Sequence, residues 1–170
     1  KSLSDNGAKV SILQAKTKMD TQPFCDYSAL EGMGVQITQA DLATETDSFF
    51  AANGDFDTII DNNSKAVEDV SKYLAKSKEL IYVSSGGLYK GACPEGGHVE
   101  TDDVKADNAC RVVEEFLVSQ SKPFASFRPQ YIYGANTNKR SNLDWFFDRI
   151  ATAQVRHKSS DCFSHLRVFF

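Results

Sequence analysis

Leu80-Ile81-Tyr82-Val83-Ser84-Ser85-Gly86-Gly87-Leu88-Tyr89 decides the fold. Four apolar, β-prone residues give way abruptly to small and polar ones, the profile of a buried strand that ends in a loop. The same profile recurs upstream in Val10-Ser11-Ile12-Leu13, Val35-Gln36-Ile37-Thr38 and Thr58-Ile59-Ile60, and downstream in Phe124-Ala125-Ser126-Phe127. Helical spacing fills several of the gaps. Ala66, Val67, Val70, Tyr73 and Leu74 form one stripe over Lys65 to Lys76, with Lys65 and Asp69 an i,i+4 pair. Ala106, Ala109, Cys110, Val113, Phe116 and Leu117 form another over Lys105 to Gln120. Thr46 to Asn53 is a shorter helix stopped by Asn53-Gly54, and Asn142 to Thr152 is amphipathic through Trp145, Phe146 and Ile150. Strands separated by helices require right-handed crossovers, hence an α/β fold with a parallel sheet covered on both faces.

Residues 1–153 read as one Rossmann-like, doubly wound domain, and residues 154–170 as an atypical tail. The domain reads as partial. Lys1 to Gly7 resembles the end of a helix, and a nucleotide-binding fold needs a strand and a glycine turn before that helix. The ten glycines contain no GxGxxG or GxxGxxG, so the usual pyrophosphate cradle is not in this sequence.

Composition narrows the function. The chain is 41% hydrophobic and 25% charged, as in ordinary globular proteins. No apolar run approaches the roughly 18 residues that span a bilayer. Lys1 to Val10 shows neither the apolar core nor the cleavage site of a secretory signal. Cys25, Cys93, Cys110 and Cys162 are widely spaced and read as free thiols, and no zinc spacing is present. The net charge of −4 argues against coating nucleic acid by bulk electrostatics. Residues 139–170 are nonetheless locally basic. Lys139 and Arg140 open that stretch, as a nucleic-acid contact or as a solvated tail.

The Ser84-Ser85-Gly86-Gly87-Leu88-Tyr89 loop, together with Phe127-Arg128-Pro129-Gln130-Tyr131-Ile132-Tyr133-Gly134, resembles extended short-chain dehydrogenases of the NAD-dependent epimerase/dehydratase type. A narrower likeness adds Asp61-Asn62-Asn63 and Trp145-Phe146-Phe147-Asp148-Arg149-Ile150. These features are similar to the chloroplast stem-loop binding proteins, atypical members of that family. The likeness covers about Gly54 to Ile150. It implies a plastid protein associated with RNA, ribosomes and transcription complexes, with a proposed endoribonuclease activity.

Redox members of the family need a tyrosine with a lysine four residues later, so that the ammonium lowers the phenol's pKa. Four places beyond Tyr27, Tyr73, Tyr82, Tyr89, Tyr131 and Tyr133 stand Glu31, Ser77, Gly86, Cys93, Ala135 and Thr137. The dyad is missing, so no catalytic residue is assigned and a redox-inactive protein is expected. Ser85 matches the family's active-site serine, or satisfies backbone at a strand end. Arg128 serves equally as a bidentate phosphate clamp or as an anchor to a carboxylate. Gln14, Asp41, Leu42 and Ser84 are where a cofactor would touch, although Asp41 equally suits a helix N-cap. Lys16 and Lys18 suit a 2′-phosphate or plain solvent. NAD(P) is expected only if a glycine loop precedes Lys1. Asn62 and Asn63 read as turn formers, and the acidic run Glu100, Asp102, Asp103 and Asp107 as a solvated loop in preference to a metal site. Three functions follow: a plastid protein binding RNA or serving a large plastid complex, an NAD(P)-dependent epimerase or reductase, or a purely structural subunit.

Overall fold

All five β-rich runs form strands, and a helix lies between each strand and the next. The computed structural model describes residues 2–16, 28–62, 64–130 and 132. The order is α1 (Ser2–Asp5), β1 (Ser11–Ala15), α2 (Ser28–Glu31), β2 (Gln36–Ala40), α3 (Thr46–Asn53), β3 (Phe56–Asp61), α4 (Val67–Ala75), β4 (Ser77–Val83), α5 (Ala109–Ser119) and β5 (Phe124–Phe127). The chain is a mixed α/β protein of Rossmann-like type in which the named strands pair in parallel. It divides into two compact units, one running up to Gly54 and the other beginning at Asp55. The amphipathic segment at Asn142 and the tail 154–170 lie outside the described residues.

In the first unit β1 and β2 pair in parallel, Ile12 opposite Ile37 and Gln14 opposite Gln39. Val35, Ala40, Phe49 and Phe50 are buried, and the two phenylalanine rings meet edge to face at 5.5 Å. Helix α3 ends as its sequence requires: Gly54 takes φ 75°, and its N–H donates to the Phe50 carbonyl.

In the second unit the order is β3-β4-β5. Strands β3 and β4 begin earlier than their apolar cores. Phe56 pairs with Ser77, while Asp57 meets Lys78 at 2.6 Å and the Thr58 hydroxyl donates to Glu79 at 2.6 Å. Polar side chains facing water thus extend the ladder without any apolar signal. Helix α4 packs on β3 and β4 and against α5. Val70, Leu80, Tyr82, Val113 and Leu117 are each 0% exposed.

The two faces of this sheet differ in how deeply their described residues are buried. The row Ile59, Leu80 and Phe124 alternates with the row Ile60, Ile81 and Ala125, two residues before Phe127. Leu80 is fully buried, but Ile60 is 54% and Phe127 57% exposed.

Two helical expectations need correction. Helix α4 starts at Val67, because Ala66 holds extended backbone. Lys65 therefore lies outside the helix, and its ammonium reaches Cys110. Helix α5 starts at Ala109, where the Asn108 side chain accepts from the Cys110 N–H. Ala106 precedes it and is exposed, and Glu114 joins Cys110, Val113 and Leu117 on the buried stripe. No helix among the described residues is long and apolar enough to cross a membrane.

One cation gathers carbonyls where α4 ends and β4 begins. The Lys122 ammonium donates to Leu74, Ala75 and Ser77 carbonyls at 2.7, 3.3 and 2.9 Å. A positive charge on the negative end of a helix dipole stabilises it. Lys122→Met is expected to cost about 1–2 kcal/mol in urea unfolding with an unchanged slope.

Candidate functional site

The residues marked by the Ser-Ser-Gly-Gly and Arg-Pro-Gln segments do come together, because β4 and β5 are neighbours. Ile81 faces Ala125 and Val83 faces Phe127, so both strands release their chains at the same edge. In open parallel sheets that carboxyl edge is where ligands bind. The two loops are strapped together: the Ser84 N–H donates to Phe127, the Gly86 N–H to Pro129, and the Gln130 amide back to the Gly86 carbonyl. A Cβ at Gly86 would lie 2.7 Å from the Gln130 side chain, which would then have to shift.

Ser85 is occupied locally. Its hydroxyl accepts from the Gly87 N–H at 3.2 Å and opens a short 3-10 turn, Gly86–Leu88. The Lys105 ammonium donates to the Gly87 carbonyl at 2.8 Å.

Arg128 finds a carboxylate. Its Nη2 donates to Glu114 Oε2 at 2.6 Å and its Nε to Oε1 at 3.1 Å, the paired geometry of a bidentate bridge. The Ser126 hydroxyl donates to the same carboxylate at 2.9 Å. On its other side Nη1 donates to the Tyr89 hydroxyl at 3.0 Å and to the Glu100 carbonyl at 3.2 Å, with the guanidinium 5.1 Å from the Tyr89 ring centre. The bridge is largely buried, its side chains 21% and 10% exposed. Burial opposes ionisation of Glu114 more than any single partner favours it. The hydrogen bonds from Arg128 and Ser126, with the Arg128 charge, nevertheless hold its carboxyl below the ordinary value.

Arg128 also fixes the long excursion between β4 and α5. Tyr89 bridges to Val104, the Lys90 N–H donates to Asp103, and the Lys105 N–H to Leu88. The His98 ring stacks on Tyr89 at 4.4 Å and 6°. His98 Nδ1 lies 2.9 Å from an Asp102 carboxylate oxygen that also accepts the Val99 N–H. Of the acidic run, Asp102 is thus a loop fastener, held below the usual carboxylate range first by its His98 contact. Among the described residues no group of three or more His, Cys, Asp or Glu side chains is placed to hold a metal ion.

Behind this network lies a second polar group that the sequence did not disclose. The Lys65 ammonium donates to Cys110 Sγ at 3.3 Å, and the Tyr82 hydroxyl donates to the Ser64 carbonyl at 3.1 Å. Burial, then contact with Cys110 and the charges of Asp61 and Glu114, push the Tyr82 phenol well above its ordinary value. It stays protonated and acts as a donor. The spacing signal was available in retrospect: Cys110 and Glu114 stand four apart on one helix face, so a buried acid one turn past a buried thiol calls for a cationic partner.

Gln14, Lys16, Asp41 and Leu42 fall in the first unit, Asn62 and Ser84 in the second. Gln14 is the next-to-last residue of β1. Asp41 does not cap α3; its carboxylate accepts from Ala43 in the preceding turn, and Glu45 takes the N-cap place. Lys16 is paired with Glu45 at 2.6 Å, and the Leu42 carbonyl accepts the Thr46 hydroxyl. Ser84 is buried at the end of β4, and Asn62 is exposed. Lys18, Asn63, Lys139 and Arg140 lie outside the described residues.

No family model matches the sequence, and no curated protein does. A solved structure, Pal from Bacillus thuringiensis, matches with a TM-score of 0.64 at 15% identity over 89% of this chain. This chain spans 58% of the length of that one. Identity at that level establishes the α/β fold.

The Glu114–Arg128 bridge predicts a pH dependence. Because the folded pKa of Glu114 lies below its ordinary 4.5, the unfolded chain takes up the proton first as pH falls. The bridge's contribution is therefore complete above about pH 4.5 and is lost as pH drops through the folded value. Arg128→Met, which strands the carboxylate, is expected to cost about 3 kcal/mol at neutral pH and less in acid. Urea unfolding across pH 3 to 7 measures both effects, and a cost that did not shrink in acid would contradict the assignment.

Proposed function

We propose that this chain is a redox-inactive Rossmann-like protein of plastids, of the kind represented by the chloroplast stem-loop binding proteins. In this reading it acts by binding RNA or as an accessory subunit of a large plastid complex. One observation carries the redox-inactive part: the groups that proton-transfer chemistry would use are committed to internal partners. The Ser85 hydroxyl caps its own turn, Arg128 is bridged to Glu114, and the buried Tyr82 phenol is driven away from the phenolate form. A base catalyst needs the opposite shift. The sequence also offers no tyrosine followed four residues later by lysine.

RNA association rests on the resemblance of the Asp61-Asn62-Asn63, Arg128-Pro129-Gln130-Tyr131 and Trp145-Phe146-Phe147 segments. With Arg128 committed to Glu114, phosphate contacts fall to other cations, Lys139 and Arg140 among them. The structural-subunit reading has its own support in Ile60 and Phe127, large apolar residues of the sheet that are more than half exposed.

Three measurements on the full-length protein separate these readings. NADPH titration followed by tryptophan fluorescence should give no saturable signal, whereas saturable quenching would restore the epimerase or reductase reading. Affinity for a stem-loop RNA should fall steeply as salt rises, because phosphate contacts release counterions. Absence of RNA binding, with retention in a large complex after nuclease treatment, would favour the structural subunit instead.

A further inference from the structure

Lys65 and Cys110 stand 45 positions apart, and the fold brings the nitrogen of one onto the sulfur of the other, Nζ to Sγ at 3.3 Å. The two ends of the contact differ in setting. Cys110, the second residue of α5, is 4% exposed, and its N–H is held by the Asn108 side chain. Lys65 lies between β3 and α4 and is exposed, so its flexible four-carbon stem reaches inward from the surface. It forms no ion pair among the described residues, Asp69 on the next turn of chain included. The sulfur is what the ammonium meets. A second observation comes from the neighbouring residue. The Tyr82 hydroxyl, which adjoins Cys110, donates to the Ser64 carbonyl at 3.1 Å, while the buried Ser64 hydroxyl has no hydrogen-bond partner among the described residues. A buried donor without an acceptor is costly, and an oxygen added to the Cys110 sulfur would bring an acceptor into that neighbourhood. Cys93 has no comparable setting: it is exposed, and its sulfur meets the Pro94 carbonyl at 3.6 Å.

We infer that Cys110 and Lys65 form a reversible sulfur–nitrogen cross-link, a sulfenamide, when the protein meets hydrogen peroxide. The Cys110 thiol loses its proton to water, and its sulfur attacks one peroxide oxygen. An S–O bond forms, the O–O bond breaks, and the departing hydroxide takes up a proton to leave as water. Sulfur gives up two electrons to the peroxide, and Cys110 becomes a sulfenic acid, the species that condenses with a nearby nitrogen. The Lys65 amine, having released its extra proton to water, then attacks that sulfur. The S–N bond forms, the S–O bond breaks, and hydroxide leaves as water with a proton from the nitrogen. No further oxidant is consumed. Rotation about the lysine stem closes the remaining gap without moving the main chain. The bridge ties the segment leaving β3 to the first turn of α5 and keeps the sulfur from the irreversible sulfinic stage. A second thiol undoes it: its sulfur attacks Cys110 Sγ, the S–N bond breaks, and the lysine amine is released with a proton. The mixed disulfide left behind is reduced by a further thiol.

The test reads the cross-link directly. The full chain is treated with a small excess of hydrogen peroxide at neutral pH, its remaining thiols are blocked, and it is digested after aromatic residues. Mass spectrometry without reduction should find the peptides holding Lys65 and Cys110 joined, lighter than their sum by two hydrogen atoms. Dithiothreitol should separate them. Lys65→Arg keeps the positive charge but removes the primary amine; it should abolish the joined species and let Cys110 gain one or two oxygen atoms instead. The wild-type map reads the bridge whatever the stability of the variant. The inference is overturned if wild-type Cys110 gains oxygen without joining Lys65, or stays a thiol while Cys93 is oxidised. It is overturned equally if the joined species persists in Lys65→Arg.

Discussion

The Arg128–Glu114 bridge is the contact that the second unit depends on most. It joins the segment after β5 to the middle of α5, and through Tyr89 and the Glu100 carbonyl it reaches the excursion that leaves β4. A carboxylate that is mostly out of water needs compensating donors, and here it receives a guanidinium and a serine hydroxyl. The guanidinium in turn distributes its donors over three chain segments. A lysine in its place would supply one point charge without the fork that lets Arg128 hold them together.

The same pairing ties up the described ionisable groups at the carboxyl edge of this sheet. Such edges collect activated groups when proteins use them for catalysis, and perturbed pKa values usually accompany that use. The perturbations found here run the other way. Glu114 is held ionised by a partner that it neutralises, and Tyr82 is held neutral by its burial and its acidic neighbours. The Lys65 ammonium, the one cation adjoining that phenol's surroundings by a described hydrogen bond, is directed to the Cys110 sulfur.

Much of the architecture was legible because parallel strands advertise themselves as short β-branched runs. The Leu80 to Val83 core and Phe124 to Phe127 appear where their composition places them. The polar starts of β3 and β4 were hidden, since Asp57 pairs with Lys78 and Thr58 with Glu79 across the ladder and none carries an apolar period. Periodicity also overextended the helices: Ala66 and Ala106 fit the stripe, yet extended backbone at Ala66 and the Asn108 cap set the true starts. The site was half legible. Arg128 and Ser85 were singled out, but which of two roles each played depended on partners distant in sequence. Glu114 escaped notice because a charged residue inside an apolar stripe looks like a surface position until its cation is found fourteen residues later.

The excursion between β4 and α5 has a built stem and a fastened flank, and its outermost turn carries little. Tyr89, Val104, Lys90 and Lys105 close the base, while His98 and Asp102 fold one side down onto Tyr89. The turn where the Gly97 N–H donates to Pro94, with Glu95 and Gly96 exposed, takes no part in either. Since closure entropy rises only slowly with loop length, extra residues spliced into that apex would leave the stem undisturbed. It is the place in this fold where new sequence, and with it a new capability, can be grafted at least cost to the scaffold beneath.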